Sequence, residues 1–434
     1  MNEQYDAIII GAGIIGAAVG LELSKKNFRT LNVDKLPAAG YGSTSNSCAI
    51  IRTYYSTFDG CAMAFEGYHY WKDWARYIGV DDESGLARFI ECGTLVMRTP
   101  HNNFLEPVLD ISRKLGVRFE EWDNARIQQR MPPWDLRRFA PVKRPDDDGF
   151  GESNGESIHG AVLFPQGGYV NDPQLATHNI QRACEAAGGR FRFNAEITEI
   201  RRSDDGVCGV TLSNGEGIDA PVVVNVAGPH SAKMNALAGI ADKMKIKTRA
   251  LRHEVPHVPS PSDFDYEEKG IVTSDSDVGV YTRPASGGQI LIGSEDPPCD
   301  NREWVDPDDF SRELSEQSRI QTMRLAQRLP SLGVPNRIGG VVDLYDVTDD
   351  WIPIYDKSDL RGFYLAIGTS GNQFKNAPVA GKLVAELIEY CEKGHDHDRE
   401  PLSFHLDHLG LDVSIGFYSR NREINKDSSF SVLG

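Results

Sequence analysis

Residues 5–34 read YDAIIIGAGIIGAAVGLELSKKNFRTLNVD, and this stretch decides the fold. The run 5–10 is apolar and β-rich, and Gly11-Ala-Gly-Ile-Ile-Gly16 follows it directly. Residues 17–26 have helical composition, with Val19, Leu21 and Leu23 set among small residues, and 30–33 is a second apolar strand that ends at Asp34. The pattern predicts a βαβ unit of about 30 residues. In the Gly11-x-Gly13-x-x-Gly16 spacing the first glycine permits a tight turn. The second lets a pyrophosphate approach the backbone, and the third lets the helix pack closely on the sheet. The helix start then offers amide donors and the positive end of its dipole to a diphosphate. Asp34 follows at the distance from which a carboxylate accepts from ribose hydroxyls. An acid there disfavours a 2′-phosphate, which sets NADP aside and leaves NAD and FAD. The candidate cofactor residues of this unit are Gly11, Gly13, Ile14, Ile15, Gly16, Asp34 and Lys35.

The whole chain has a globular composition. It has 434 residues, 40% hydrophobic and 25% charged, a mix that predicts two domains or one interleaved pair. With 46 basic and 63 acidic residues the net charge is −17. Such a field repels phosphate, which argues against nucleic acid or an anionic membrane as partner. An anionic small substrate would need a local cationic pocket. The seven cysteines are scattered with no C-x-x-C pair, which points to reduced thiols, a cytoplasmic location and no metal site. No run approaches 18 apolar residues, so no transmembrane segment is expected.

Downstream, the pattern predicts a helix over 62–79 and a polar loop over 145–159. A helix is expected over 175–187, then one strand over 191–200 running on to a hairpin near 204–206. A buried strand follows over 221–226, a charged helix over 310–329, a strand over 363–367 and a helix over 379–391. The tail from 400 lacks periodicity.

Four further segments separate NAD from FAD: Gly42-Ser-Thr-Ser-Asn-Ser-Cys-Ala-Ile-Ile-Arg52, Phe164-Pro-Gln-Gly-Gly-Tyr-Val-Asn-Asp-Pro173, the Ala227-Gly-Pro-His-Ser231 that closes the strand over 221–226, and Gly368-Thr-Ser-Gly-Asn-Gln-Phe-Lys-Asn-Ala-Pro378. With the glycine unit, in this order, they resemble the FAD-dependent D-amino-acid oxidase superfamily on its sarcosine oxidase, glycine oxidase and dimethylglycine dehydrogenase branch. The resemblance covers most of residues 5–395. It implies an α/β and α+β architecture, a Rossmann-like FAD-binding domain interleaved with a mixed-sheet substrate domain. The expected division is 1–82, 160–228 and 350–400 for FAD, 83–159 and 229–349 for substrate, and a tail over 401–434. In such proteins Gly42, Ser43, Thr44, Ser45 and Asn46 run along the pyrophosphate and flavin, Ile197 covers the adenine side, and Ala227 and Gly228 approach the cofactor. Gly371, Asn372, Gln373, Phe374 and Lys375 close over the pyrimidine end of the flavin.

The resemblance also implies the chemistry. Arg52 stands where sarcosine oxidase-like enzymes hold the substrate carboxylate, and Lys375 matches the second cation of that clamp. An arginine grips a carboxylate bidentately and a lysine adds a point charge. Tyr345 and Trp351 compete to line the pocket, and Tyr345 joins Arg52 and Lys375 as a catalytic candidate. Tyr54 and Tyr55 read either as a substrate cage or as packing. Both known flavin attachment points are missing, with Val342 at the cysteine's place and Asn46 at the histidine's, so non-covalent FAD is expected. Leu291 replaces the lysine that promotes reaction with oxygen in sarcosine oxidase. The reading is therefore an FAD-dependent amine oxidoreductase acting on CH–NH, a dehydrogenase rather than an oxidase. It passes hydride from a small amino acid or N-methylated amino acid carboxylate to flavin N5, with the electron acceptor open. Alternatives are a 2-hydroxy-acid dehydrogenase and a flavin-binding subunit of a larger complex, with homo-oligomer or complex membership left open. His395 and His397 read as part of a solvated tail rather than as metal ligands.

Overall fold

In the computed structural model, which describes residues 4–432 apart from 101, 103 and 104, strand β1 (Ala7–Ile10) lies inside a six-stranded sheet. The order is Ile354–Lys357, Phe363–Ile367, Val222–Asn225, β1, β2 (Thr30–Val33) and Arg190–Arg192. All neighbours are parallel except the first, antiparallel pair. The strands read as unbroken apolar runs because both faces of the sheet are covered. Ala7 and Ile9 pack with the helices α1 (Ile14–Lys25), Pro173–Ala186 and Ala377–Glu392. Ile8 and Ile10 point the other way, into a layer built on the three antiparallel strands Ile197–Ser203, Gly206–Leu212 and Gly217–Asp219. Ile8 and Ile9 are fully buried, so trimming either to alanine would cost about 2–5 kcal/mol.

Two expectations are corrected here. The strand over 191–200 is two strands in two sheets, Arg190–Arg192 at the edge of the parallel sheet and Ile197–Ser203 in the covering layer. The chain breaks between them at Asn194, whose φ is +53°. The charged helix begins later than its charge pattern suggests, at Glu316, where the Ser315 side chain caps it by accepting from Gln317 N.

The second body is a nine-stranded sheet, antiparallel except where Thr94–Met97 runs parallel to Val272–Asp275. Its longest pairing joins Thr248–Pro259 to Gly339–Thr348 over ten residue pairs. That register sets Leu251 opposite Tyr345, His253 opposite Asp343 and Val255 opposite Val341. The tail is ordered rather than solvated. It forms the hairpin Ser403–Leu406 and Leu411–Ser414 and then a buried ionic cluster, in which Arg420 meets Asp356, Asp359 and Asp398. His397 is 2% exposed and its Nδ1 accepts from Leu402 N, so the solvated reading of that histidine fails. Among the described residues, no helix is long and apolar enough to cross a membrane.

Candidate active site

A cavity of about 860 Å³ runs between the two sheets, lined by both. The glycine turn forms one part of its wall. Gly11 has φ +114°, and a Cβ at Gly16 would sit 2.3 Å from Gly11 O, so α1 starts against the turn only because both positions are glycine. Asn32, a polar residue inside β2, ties the turn down by donating to Gly11 O and Gly16 O at 3.1 and 2.8 Å. Sequence reasoning missed Asn32; the one signal was a fully polar residue within an apolar strand. Gly13 is the N-cap of α1, the first turn carries no acidic side chain, and among the described residues only Thr44 Oγ1 reaches in, accepting from Ile14 N at 3.2 Å. The turn is therefore a bare amide end suited to a diphosphate.

Asp34 lines the same cavity but is already employed. It accepts from Ala12 N at 2.7 Å and Leu36 N at 2.9 Å. A carboxylate has about four acceptor sites, so it holds the loop and still offers lone pairs to a ribose. Burial pushes its carboxyl above the ordinary range, against the pull of those two amides. Beside it, Lys35, His230 and Lys233 converge on Asp308 at 2.6–2.9 Å.

Every proposed cofactor residue lines this cavity except Ser45, whose hydroxyl turns back onto Gly42 O. Ser43 and Asn46 instead donate to Asp343, at 2.9 and 2.6 Å. Val341, Asp343, Leu344, Tyr345 and Asp346 line the cavity while Val342 does not. Val342 is thus not the position that faces the cofactor space; Asp343 and Val341 are. These residues fit FAD. The glycine cradle, the bare helix start and the long two-sheet cavity match a dinucleotide, and Asn372 Nδ2 is buried there without a hydrogen-bond partner among the described residues.

Arg52 follows the short strand Ile50–Ile51, which pairs with Gly168–Val170. Lys375 sits in the helical turn Phe374–Asn376, whose carbonyl at Lys375 accepts from Trp71 Nε1 at 2.7 Å. Chain folding brings these distant residues onto one ring. The Arg52 guanidinium lies 4.2 Å from the Tyr55 ring centre and Lys375 Nζ 5.0 Å from it. Lys375 also donates to Tyr55 Oη at 2.7 Å and to Asn372 O at 2.5 Å. Burial and the neighbouring Arg52 charge push the lysine's proton affinity well below the usual range. A bound carboxylate would act on Lys375 in the opposite direction, favouring its charged form.

Tyr345 lines the cavity as expected, and its ring stacks on His253 at 4.1 Å. Trp351 does not line it; it packs behind with Leu251 and Val347. Tyr54 lines the cavity, whereas Tyr55 braces the two cations from outside it. Leu291 sits in a small apolar cluster with Cys48 and Val255 rather than on the cavity wall. Three more residues escaped the sequence reading. Tyr281 Oη lies 3.4 Å from Tyr345 Oη, and burial lowers the proton affinity of His253. Arg283 is a buried guanidinium opposite Leu291 in register, stacked 4.5 Å from the Tyr169 ring. None carries a local motif; strand pairing brings Tyr281 and His253 onto the cavity wall, while Arg283 stays behind it.

The family model described as DAO, FAD dependent oxidoreductase, matches residues 6–387. Glycine oxidase of Geobacillus kaustophilus is 24% identical over 95% of this chain and all of that protein. Sarcosine oxidase subunit beta of Rhodobacter capsulatus is 24% identical over 89% of this chain and 85% of its own length. Among solved structures, that of glycine oxidase from Geobacillus kaustophilus superposes with a TM-score of 0.72 at 21% identity, covering 93% of this chain and all of that one. The structure of L-proline dehydrogenase from P. horikoshii gives 0.73 at 20% identity, over 91% and 95%.

Proposed function

The chain belongs to the FAD-dependent oxidoreductase family, and on that basis we propose that it oxidises the C–N bond of a small amino acid or N-methylated amino acid. The observation that carries this reading is the pairing of Arg52 and Lys375 across one tyrosine ring beside the cavity. FAD, held along Gly11–Gly16, Asp34 and 42–46, supplies the electron-accepting ring, and its proposed domain is 1–82, 160–228 and 350–400, less Ala161–Phe164, which pairs into the nine-stranded sheet. Arg52 takes the substrate carboxylate in a charge-assisted bond. Lys375 adds a point charge to that grip, and Tyr345, Tyr281 and Tyr54 wall the reacting carbon from water. The substrate amine stays neutral, so its lone pair drives loss of the C–H hydride, and no dedicated base is required.

Non-covalent FAD is supported by Asn46, engaged with Asp343, and by Val342, which does not face the cavity. A dehydrogenase is supported by Leu291; the buried cation opposite it, Arg283, does not line the cavity. His253 favours one second reading: a neutral imidazole stacked on Tyr345 is a base that a 2-hydroxy acid would need. Anaerobic titration of the holoenzyme with N-methyl amino acids and with 2-hydroxy acids decides between them. Bleaching of the flavin by the amines alone is the expected result, and bleaching by the hydroxy acids alone would overturn the assignment.

A further inference from the structure

The end of the described chain lies on the carboxylate site. Residues 420–425 are anchored: Arg420 in its ionic cluster, Arg422 paired with both oxygens of Asp350, and Asn425 N donating to Asp350. Beyond that anchor the bonds of 427–431 are largely local, Asp427 N to Asn425 Oδ1 and Phe430 N to Ser428 Oγ. Two guanidinium groups hold the end of this segment. Arg302 Nη2 donates to Phe430 O at 2.9 Å and Arg52 Nη2 donates to Val432 O at 2.6 Å. Phe430 has φ +50° and is exposed, a conformation a bulky side chain adopts only when its neighbours hold it. Val432 lines the cavity and packs on Leu251, Val347 and Trp351, beside Tyr281 and Tyr345.

We infer that residues 426–432 form a strap whose Val432 carbonyl occupies, on Arg52, the place of a substrate carboxylate oxygen, so that only an acid displaces it. This rests on the reading of Arg52 as the carboxylate holder. A neutral carbonyl on a guanidinium is the weaker form of the bond that a carboxylate makes bidentately. A carboxylate therefore wins the exchange, whereas an amine without one leaves the strap in place. Because only the open fraction binds an acid on Arg52, the strap weakens acid binding by the reciprocal of that fraction.

The test compares the holoenzyme with a variant ended by a stop codon at Ser428, using acetate as probe and the flavin absorbance change as readout. The shortened variant should keep its flavin and bind acetate about tenfold more tightly, the strap no longer competing. In the full chain, saturating acetate should speed tryptic cleavage after the exposed Lys426. Equal or weaker acetate binding by a flavin-loaded short variant would overturn the strap. If that variant does not fold, an unchanged cleavage rate at Lys426 overturns it alone. Arg52→Gln separates the two readings. Acetate binding that survives this change, or no acetate response in any form, sinks the clamp and the strap with it. Binding that depends on Arg52 but not on the tail sinks the strap only.

Discussion

The glycine turn and the Arg52–Lys375 region share one cavity but are built by opposite means. The first is made of backbone: bare amides, a helix start and glycines packed so closely that no side chain fits, with Asn32 and Asp34 as ties. The second is made of long side chains from segments more than 300 residues apart, stacked on a tyrosine and crossed by the tail. A backbone site fails abruptly when its spacing is disturbed, because there is nothing to repack. A side-chain site degrades by steps, because each group contributes its own bond.

Four substitutions test that contrast. Gly16→Val should be the most damaging, since its Cβ would meet Gly11 O at 2.3 Å with no flexible atom to yield. The expected product is insoluble or free of flavin, judged by the ratio of absorbance at flavin and protein wavelengths; a normal yellow preparation would break the contrast. Arg52→Gln should keep its flavin yet raise the dissociation constant for a carboxylate ligand about tenfold to a hundredfold, the worth of one charge-assisted bond at about 1.5–3 kcal/mol. Asp34→Asn keeps an acceptor for the loop amides but loses the charge. Its flavin should dissociate several-fold faster on dilution, with the melting temperature lowered only slightly.

The smallest effect is a pH dependence. Burial raises the Asp346 carboxyl from the ordinary 3.8 to about 7. A raised carboxyl favours the fold fully below its unfolded value, and that contribution is lost as pH climbs through the folded one. Asp346→Asn should therefore gain thermal stability relative to wild type between about pH 4 and pH 7, with a constant difference above. A difference flat across that range would remove Asp346 from the buried ionisable groups.

The same contrast explains what the sequence revealed. The βαβ unit was legible because its chemistry is local: glycine spacing, apolar runs and Asp34 all lie within 30 residues. Arg52 and Lys375 were reachable only through the resemblance of their loops, and their shared ring at Tyr55 was not reachable at all. Asp343 was missed because its partners, Ser43 and Asn46, lie some 300 residues upstream. The tail was read as irregular because its order comes from Arg420 and Arg422 meeting acids some 60–75 residues upstream, with no periodic pattern of its own.

The strand order of the six-stranded sheet has a consequence for the chain during synthesis. Its first-made member, β1, takes one neighbour from Thr30–Val33 and the other from Val222–Asn225, which in turn waits for Phe363–Ile367. At about 5–20 residues per second, the Ala7–Ile10 edge stands open for roughly 10–45 s, and the sheet is complete only after the Phe363–Ile367 strand has left the ribosome. Four consecutive buried apolar residues with free backbone groups are, for that interval, a template for pairing with another nascent chain. Yield of this protein should therefore depend on translation rate and on holdase chaperones more steeply than its finished stability would suggest.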